Sequence, residues 1–278
     1  MIANARMYSV EATTGALWRR LLSAIAAQSG LPITVIEHVA PQPISALWQR
    51  SDTAAVFMCG LPYSRSEPRP GIVAAPVPSP AAFAHAPIYW SNWIVHADSR
   101  FATLSDTFGR RLALTTPESQ SGYAAALQHL MPYGTATPLY SEVIAPQVTP
   151  QGAVRAVQEA RAEVAPIDAF TFALLEKHAP ELTRQVRVIG QTARTPIPPI
   201  VGASSGLDSL TSAFTQAHGN SALRALMTEL LLERFVRPDA ASYDELLERF
   251  EAATAFWREH PLARVIHPAF SALTSPGH

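Results

Sequence analysis

Charge is scarce in this chain. Only 15% of its 278 residues are Asp, Glu, Lys or Arg, against about 25% in ordinary soluble domains. With 21 basic and 22 acidic residues the net charge is −1, so the chain has no overall positive field to gather a polyanion, and nucleic acid is not expected as a partner. Lysine is almost missing: Lys177 stands alone, in Leu175-Glu176-Lys177-His178, which reads as a solvated helix end. That leaves neither a Schiff-base lysine nor a P-loop. A single cysteine, Cys59, rules out an internal disulfide and any cysteine-rich zinc or iron–sulfur site. No apolar run approaches the ~18 residues of a membrane span. Residues Met1 to Tyr8 lack the basic and apolar stretches of a secretory signal, so either a signal has been removed or the protein is made without one. G-x-G-x-x-G and G-x-S-x-G are also missing. The nine histidines are scattered, and His260 and His267 stand seven apart with proline after each, not at the i,i+4 spacing of a helical zinc site. No metal and no cofactor are expected.

Apolar residues are plentiful at 48%, enough for one large or two medium domains. Short apolar runs alternate with helical patterns through the first half. Ala3 to Ser9, Ile33 to Glu37, Ala54 to Met58 and Ile72 to Ala75 read as strands. Thr14 to Gln28 reads as a helix ended by Gly30, and Ile44 to Gln49 as a shorter one. A second α/β unit follows, with strands Arg111 to Thr115, Leu139 to Ile144 and Val164 to Ile167. Its helices are Ser121 to Leu130, Gly152 to Ala160 and Phe170 to Lys177. Such an order predicts two α/β lobes with mainly parallel sheets. Ile88 to Val95 and Val186 to Gly190 read as strands crossing between the lobes. The helical patterns Leu207 to His218, Ser221 to Arg234 and Ser242 to Arg258, where Ser242 and Glu245 have capping-box spacing, are expected to return to lobe one. The boundaries are 1–92 with 193–278 for lobe one and 93–192 for lobe two, with a ligand cleft between them.

The chemistry concentrates at strand ends. Thr115-Thr116-Pro117-Glu118-Ser119-Gln120-Ser121-Gly122-Tyr123 is a hydroxyl-rich turn opening a helix, and it reads either as an anion seat of amides and hydroxyls or as an ordinary Ser N-cap. Arg110 and Arg111 lie at the other end of the preceding strand, so neutral dipoles alone would hold an anion there. In Phe57-Met58-Cys59-Gly60-Leu61-Pro62-Tyr63 a strand ends in a Gly/Pro turn that presents Tyr63 at the sheet edge, where ligands of open α/β sheets sit. Cys59 reads as a small core residue rather than a nucleophile, since no His or Asp lies beside it. Asp168 is a helix N-cap or a carboxylate for a ligand's amine or proton. In Ile88-Tyr89-Trp90-Ser91-Asn92-Trp93, core packing accounts for about half the side chains, and Tyr89 or Trp90 is the candidate to line a cleft.

These segments resemble the PhnD-like family, the phosphate/phosphite/phosphonate substrate-binding proteins of ABC transporters. The likeness is carried in order by Phe57 to Tyr63, Ser119 to Tyr123, Ala165-Pro166-Ile167-Asp168, and Val188-Ile189-Gly190-Gln191-Thr192 with Pro196 and Pro198-Pro199. It covers roughly residues 1–205, and the family more often has Thr or Ser where Gln120 stands. It implies a type II periplasmic-binding-protein fold that closes as a hinge. Ser119, Gln120, Ser121 and Gly122 would meet the phosphoryl oxygens, Tyr63 and Tyr8 would close over the ligand, and Asp168 would meet its substituent end. The implied protein is a monomeric, non-catalytic component that passes a small phosphonate or phosphate-like anion to ABC permease membrane subunits. It is periplasmic by resemblance, with the cytoplasm as the alternative. A cytosolic ligand sensor, or a transferase or cofactor-biosynthesis enzyme on the same scaffold, are the rival readings.

Overall fold

The computed structural model describes residues 1–202 and 207–273. In chain order the elements are β1 (Ile2–Asn4), α1 (Ala12–Ser29), β2 (Thr34–Val35), α2 (Ser45–Trp48), β3 (Thr53–Phe57), α3 (Gly60–Arg65), β4 (Gly71–Pro78) and β5 (Ile88–Tyr89). Then follow β6 (Ser91–His96), β7 (Arg111–Leu112), α4 (Ala125–Leu130), β8 (Tyr140–Val143), α5 (Pro150–Gln158), β9 (Ala165–Asp168), α6 (Ala169–His178), α7 (Pro180–Thr183) and β10 (Val186–Gln191). The chain ends with β11 (Thr195–Pro196), β12 (Ile200–Gly202), α8 (Leu207–Gln216), α9 (Ser221–Glu229), β13 (Leu232–Val236), α10 (Asp244–Glu259) and β14 (Ala263–Ile266).

Two compact units result. Unit 1 is Met1–Tyr89 with Thr195–Asp244, and unit 2 is Trp90–Arg194 with the chain from Glu245 onward. In unit 1 the sheet order is β2-β1-β3-β12-β4-β13, with β1 parallel to β2 and β3, and β12 antiparallel to both β3 and β4. Helix α1 buries Leu17, Trp18, Leu21, Leu22 and Ile25. It stops at Gly30 because that residue's φ of 71° is one glycine adopts without strain. Trp18 and Tyr8 meet the Phe57 ring edge-on at 5.2 and 5.0 Å, joining α1 and the first turn to β3.

Unit 2 pairs β10-β6-β9 and β7-β8-β14, and a parallel bridge from Leu112 to Val164 makes one sheet of the two sets. Strands β7, β8, β9 and β14 run parallel while β6 is antiparallel to β9 and β10. The carboxyl ends of β7, β8, β9 and β10 and the start of β6 therefore share one edge.

Four expectations need correction. The C-terminal segment belongs to unit 2, not lobe one: Trp257 Nε1 donates to the Leu127 carbonyl at 2.9 Å, Tyr123 stacks on Phe270 at 5.4 Å, and β14 pairs with β8. Residues 274–278 of that range lie outside the described residues. The helix predicted over Ser221 to Arg234 ends at Glu229; Leu231 turns left-handed at φ 55° and β13 then pairs with β4. Ser242 is not the N-cap of the last long helix: it lies within the turn Ala240–Tyr243, its hydroxyl donating to the Asp239 carbonyl at 2.6 Å, and α10 starts only at Asp244. The single strand expected over Ile88 to Val95 is two, β5 in unit 1 and β6 in unit 2, which divide at Trp90.

Candidate functional site

The shared edge of the unit 2 sheet gathers three helix starts, each with a different occupant. At α5, Pro150 has no N–H to offer and Thr149 Oγ1 accepts from Gly152 N at 3.1 Å. At α6, Asp168 Oδ1 accepts from Thr171 N at 2.6 Å, and the Ala169 amide donates to the Trp90 carbonyl at 2.9 Å. Asp168 thus acts as the N-cap and sits 6% exposed. A helix mouth already occupied by its own carboxylate does not attract an anion.

The third start differs. Gln120–Ala124 form one wide π-type turn that runs directly into α4, the kind of irregularity that recurs at functional sites. Ser119 Oγ accepts from Gly122 N at 3.0 Å, the Ser119 carbonyl accepts from Ala124 N at 3.1 Å, and the Gln120 carbonyl accepts from Ala125 N. The Ser N-cap expected from the sequence is therefore present. It uses one hydroxyl and one amide, and the amides of Gln120 and Ser121, at the head of the helix, have no intrahelical acceptor. Ser121 is half-buried.

Two contacts that the sequence did not single out hold this turn in place. Thr115 N donates to the Gly122 carbonyl at 3.1 Å, and the Thr115 side chain fills the space beside Gly122. Thr115 also bridges Gln147, whose amide donates to the Leu114 carbonyl at 2.9 Å. The second contact is Ser91, fully buried at the start of β6. Its Oγ donates to the Ser121 carbonyl at 2.7 Å and its amide to Thr192 Oγ1 at 2.9 Å, while Thr192 N returns 2.9 Å to the Ser91 carbonyl. Ser91 is also the β-partner of Asp168. One serine thus ties together the turn, the end of β9 and the end of β10. Its only sequence signal was a small hydroxyl between bulky aromatics. Ser91→Ala should lower stability by about 1 kcal/mol, the usual loss for one such bond, and loosen the turn, seen as faster amide exchange at Ser121 to Tyr123.

Arg111 is engaged with a carboxylate. It forks onto Glu163 at 2.8 Å, and the paired guanidinium holds the Glu163 carboxyl below its usual range against the opposing effect of burial.

The three candidate tyrosines all belong to unit 1, and all are buried in it. Tyr8 lies in a tight turn after β1, not at the end of a longer strand, and is 0% exposed. Tyr89 sits in β5, where it pairs with Thr195. Tyr63 was expected on an edge turn, but Gly60 to Arg65 form a helix that carries it inward. Its ring meets Tyr243 at 5.1 Å and lies under the Arg69 guanidinium at 5.5 Å. Burial pushes its phenol pKa upward. Tyr243 is pinned in turn by its hydroxyl on the Ile197 carbonyl at 2.8 Å. Cys59 is half-buried just before α3. Among the described residues no three His, Cys, Asp or Glu side chains are placed to hold a metal ion, and no helix is long and apolar enough to cross a membrane.

Comparison with known proteins bears on this arrangement. A family model described as ABC transporter, phosphonate, periplasmic substrate-binding protein matches residues 9–243. Among solved structures, a binding-protein component of an ABC phosphonate transporter from Pseudomonas aeruginosa is 19% identical. It has a TM-score of 0.70, with 93% of this chain and 87% of that one covered. PhnD1 from Prochlorococcus marinus in complex with methylphosphonate is 12% identical with a TM-score of 0.73, covering 91% and 97%. A Xanthomonas citri protein bound to ATP is 16% identical with a TM-score of 0.61, covering 94% and 99%. At these identities the likeness establishes the fold, the two-lobe α/β architecture of periplasmic binding proteins. No curated protein sequence matches the chain.

Proposed function

The chain belongs to the periplasmic phosphonate substrate-binding proteins of ABC transporters, and from that premise we propose that it captures a small phosphonate or phosphate-like anion at the Ser119–Gly122 turn of unit 2. Members of this family are solute-binding components that serve a membrane permease. The observation that carries the reading is the wide π-type turn, whose Ser119 cap occupies the Gly122 amide and leaves those of Gln120 and Ser121 without intrahelical acceptors, while α5 begins on a proline and α6 is capped by the Asp168 carboxylate. Amide and hydroxyl bonds to an oxyanion are charge-assisted and worth roughly 1.5–3 kcal/mol each, so a few suffice without a basic side chain. In this reading Asp168, joined to the same turn through Ser91, meets a cationic or protonated substituent. Tyr8, Tyr63 and Tyr89 serve by shaping the unit 1 framework. The chain acts as a monomer, without catalysis and without nucleic acid.

Titration calorimetry with methylphosphonate, phosphite and phosphate tests this. Ser121→Ala should weaken binding by on the order of tenfold while the thermal midpoint stays unchanged. An unaltered affinity removes the turn from the site, and failure of the wild-type chain to bind any of the three refutes the reading.

A further inference from the structure

We propose that Ser91 and Thr192 are positioning residues for anion binding, which orient a hydrogen-bond chain so that its end proton, on Ser119 Oγ, is given to the ligand. The inference rests on the phosphonate-binding reading and concerns how the same turn is held ready to donate. The chain has one direction. A carbonyl oxygen only accepts, so the 2.7 Å contact between Ser91 Oγ and the Ser121 carbonyl commits the Ser91 proton. That carbonyl and the Gly122 amide belong to one planar peptide group. The amide only donates, and it donates to Ser119 Oγ at 3.0 Å. Ser119 Oγ is therefore an acceptor inside the turn, and its own proton is left for an acceptor beyond it. None of the described residues takes that proton.

Hydrogen bonds in series polarise one another. Ser91 draws on the Ser121 carbonyl, which makes the Gly122 N–H a better donor and the Ser119 hydroxyl a better one in turn. An anion is the acceptor that gains most from such a chain. The turn Ser119-Gln120-Ser121-Gly122 has no basic residue of its own, so donor strength supplied in this way counts. At the start of α6 the cap is Asp168, and a carboxylate has no proton to pass on.

Ser91 acts in this way only while its Oγ is held against the carbonyl. Thr192, just past β10, holds it there. Thr192 Oγ1 accepts from Ser91 N at 2.9 Å, its amide donates to the Ser91 carbonyl at 2.9 Å, and its hydroxyl proton goes to the Ala193 carbonyl at 3.3 Å. Both residues are buried, so a bond lost here is not made good by water.

The test is calorimetry of the full chain with methylphosphonate, with thermal melts alongside. Ser91→Ala and Thr192→Val should each weaken binding by about tenfold, whereas Thr192→Ser keeps the acceptor and should stay within about twofold of wild type. Thr107→Val is the control. Thr107 is buried in unit 2 before β7 and its hydroxyl donates to the Leu104 carbonyl at 2.6 Å. Its loss should lower the melting midpoint as Ser91→Ala does and leave the affinity within about twofold. In a double-mutant cycle, Ser91→Ala should weaken binding by less than about twofold once Ser119→Ala is present, because both act through one chain. The Gly122 amide proton resonance should move upfield in Ser91→Ala as its bond to Ser119 weakens. Wild-type affinity in Ser91→Ala, additive losses in the cycle, an unmoved Gly122 resonance, or an equal loss of affinity in Thr107→Val overturns the proposal. So does Thr192→Ser binding as weakly as Thr192→Val, a comparison that decides the matter even where Ser91→Ala does not fold. Failure of the wild-type chain to bind methylphosphonate is a different result and overturns the phosphonate reading itself.

Discussion

Gly122→Ala is expected to weaken methylphosphonate binding by at least about a hundredfold, through overpacking of the turn and the loss of its aligned amides. A Cβ at this position would stand 2.1 Å from Thr115 Oγ1, 2.7 Å from Cγ2 and 2.9 Å from Cβ. Thr115 cannot yield, because its amide is bonded to the Gly122 carbonyl at 3.1 Å and its backbone bridges Gln147. The turn must open instead, taking the amides of Gln120 and Ser121 out of register. The double variant Thr115→Gly with Gly122→Ala removes the clash at its source and should recover part of the affinity, so the two positions couple in a double-mutant cycle. Calorimetry reads the affinity and a thermal melt confirms folding. Full affinity in the single variant would show that the turn does not form the site.

The second large effect is on stability. In Gly202→Ala the new Cβ would meet the Ala54 carbonyl oxygen at 2.1 Å and its carbon at 2.8 Å. These are backbone atoms of β3, and β12 is held between β3 and β4, so neither strand can step aside without losing ladder bonds. A cost of about 3 kcal/mol or more follows, equivalent to a midpoint lowered by roughly 6–12 °C for a chain of this size. Gly219→Ala is the control. A Cβ there has no neighbour within 4 Å, and the change should stay within about 0.5 kcal/mol. Equal midpoints for the two variants would contradict the close approach of β12 to β3.

Both effects depend on glycines whose importance comes from distant partners, and this marks where sequence reading stops. Helix α1 was legible with its Gly30 terminator, because apolar spacing and a left-handed glycine are local features. Ser119 and Asp168 were legible as caps for the same reason, each bonding an amide three residues on. Ser91 was not. It acts on residues 30, 77 and 101 positions away, and no local pattern announces such a role. Tyr63 misled because Gly-Leu-Pro reads as a turn, whereas packing against Tyr243 favours a helix that turns the ring inward. The allocation of 245–273 to unit 2 was equally hidden, since an amphipathic helix shows which face it buries but not against what.

The sequence by itself determined the alternating α/β order, the two-unit plan, the absence of a basic residue at the Ser119–Gly122 turn and the family pattern that names the turn. Each follows from local spacing or composition. Tertiary structure alone decided that Asp168 caps α6, that the helix after Ser119 begins with a wide turn, and that Thr115 and Ser91 hold that turn. Those outcomes turn on hydrogen bonds and excluded volume between residues far apart in the chain, and such terms have no value until the backbone has brought them together.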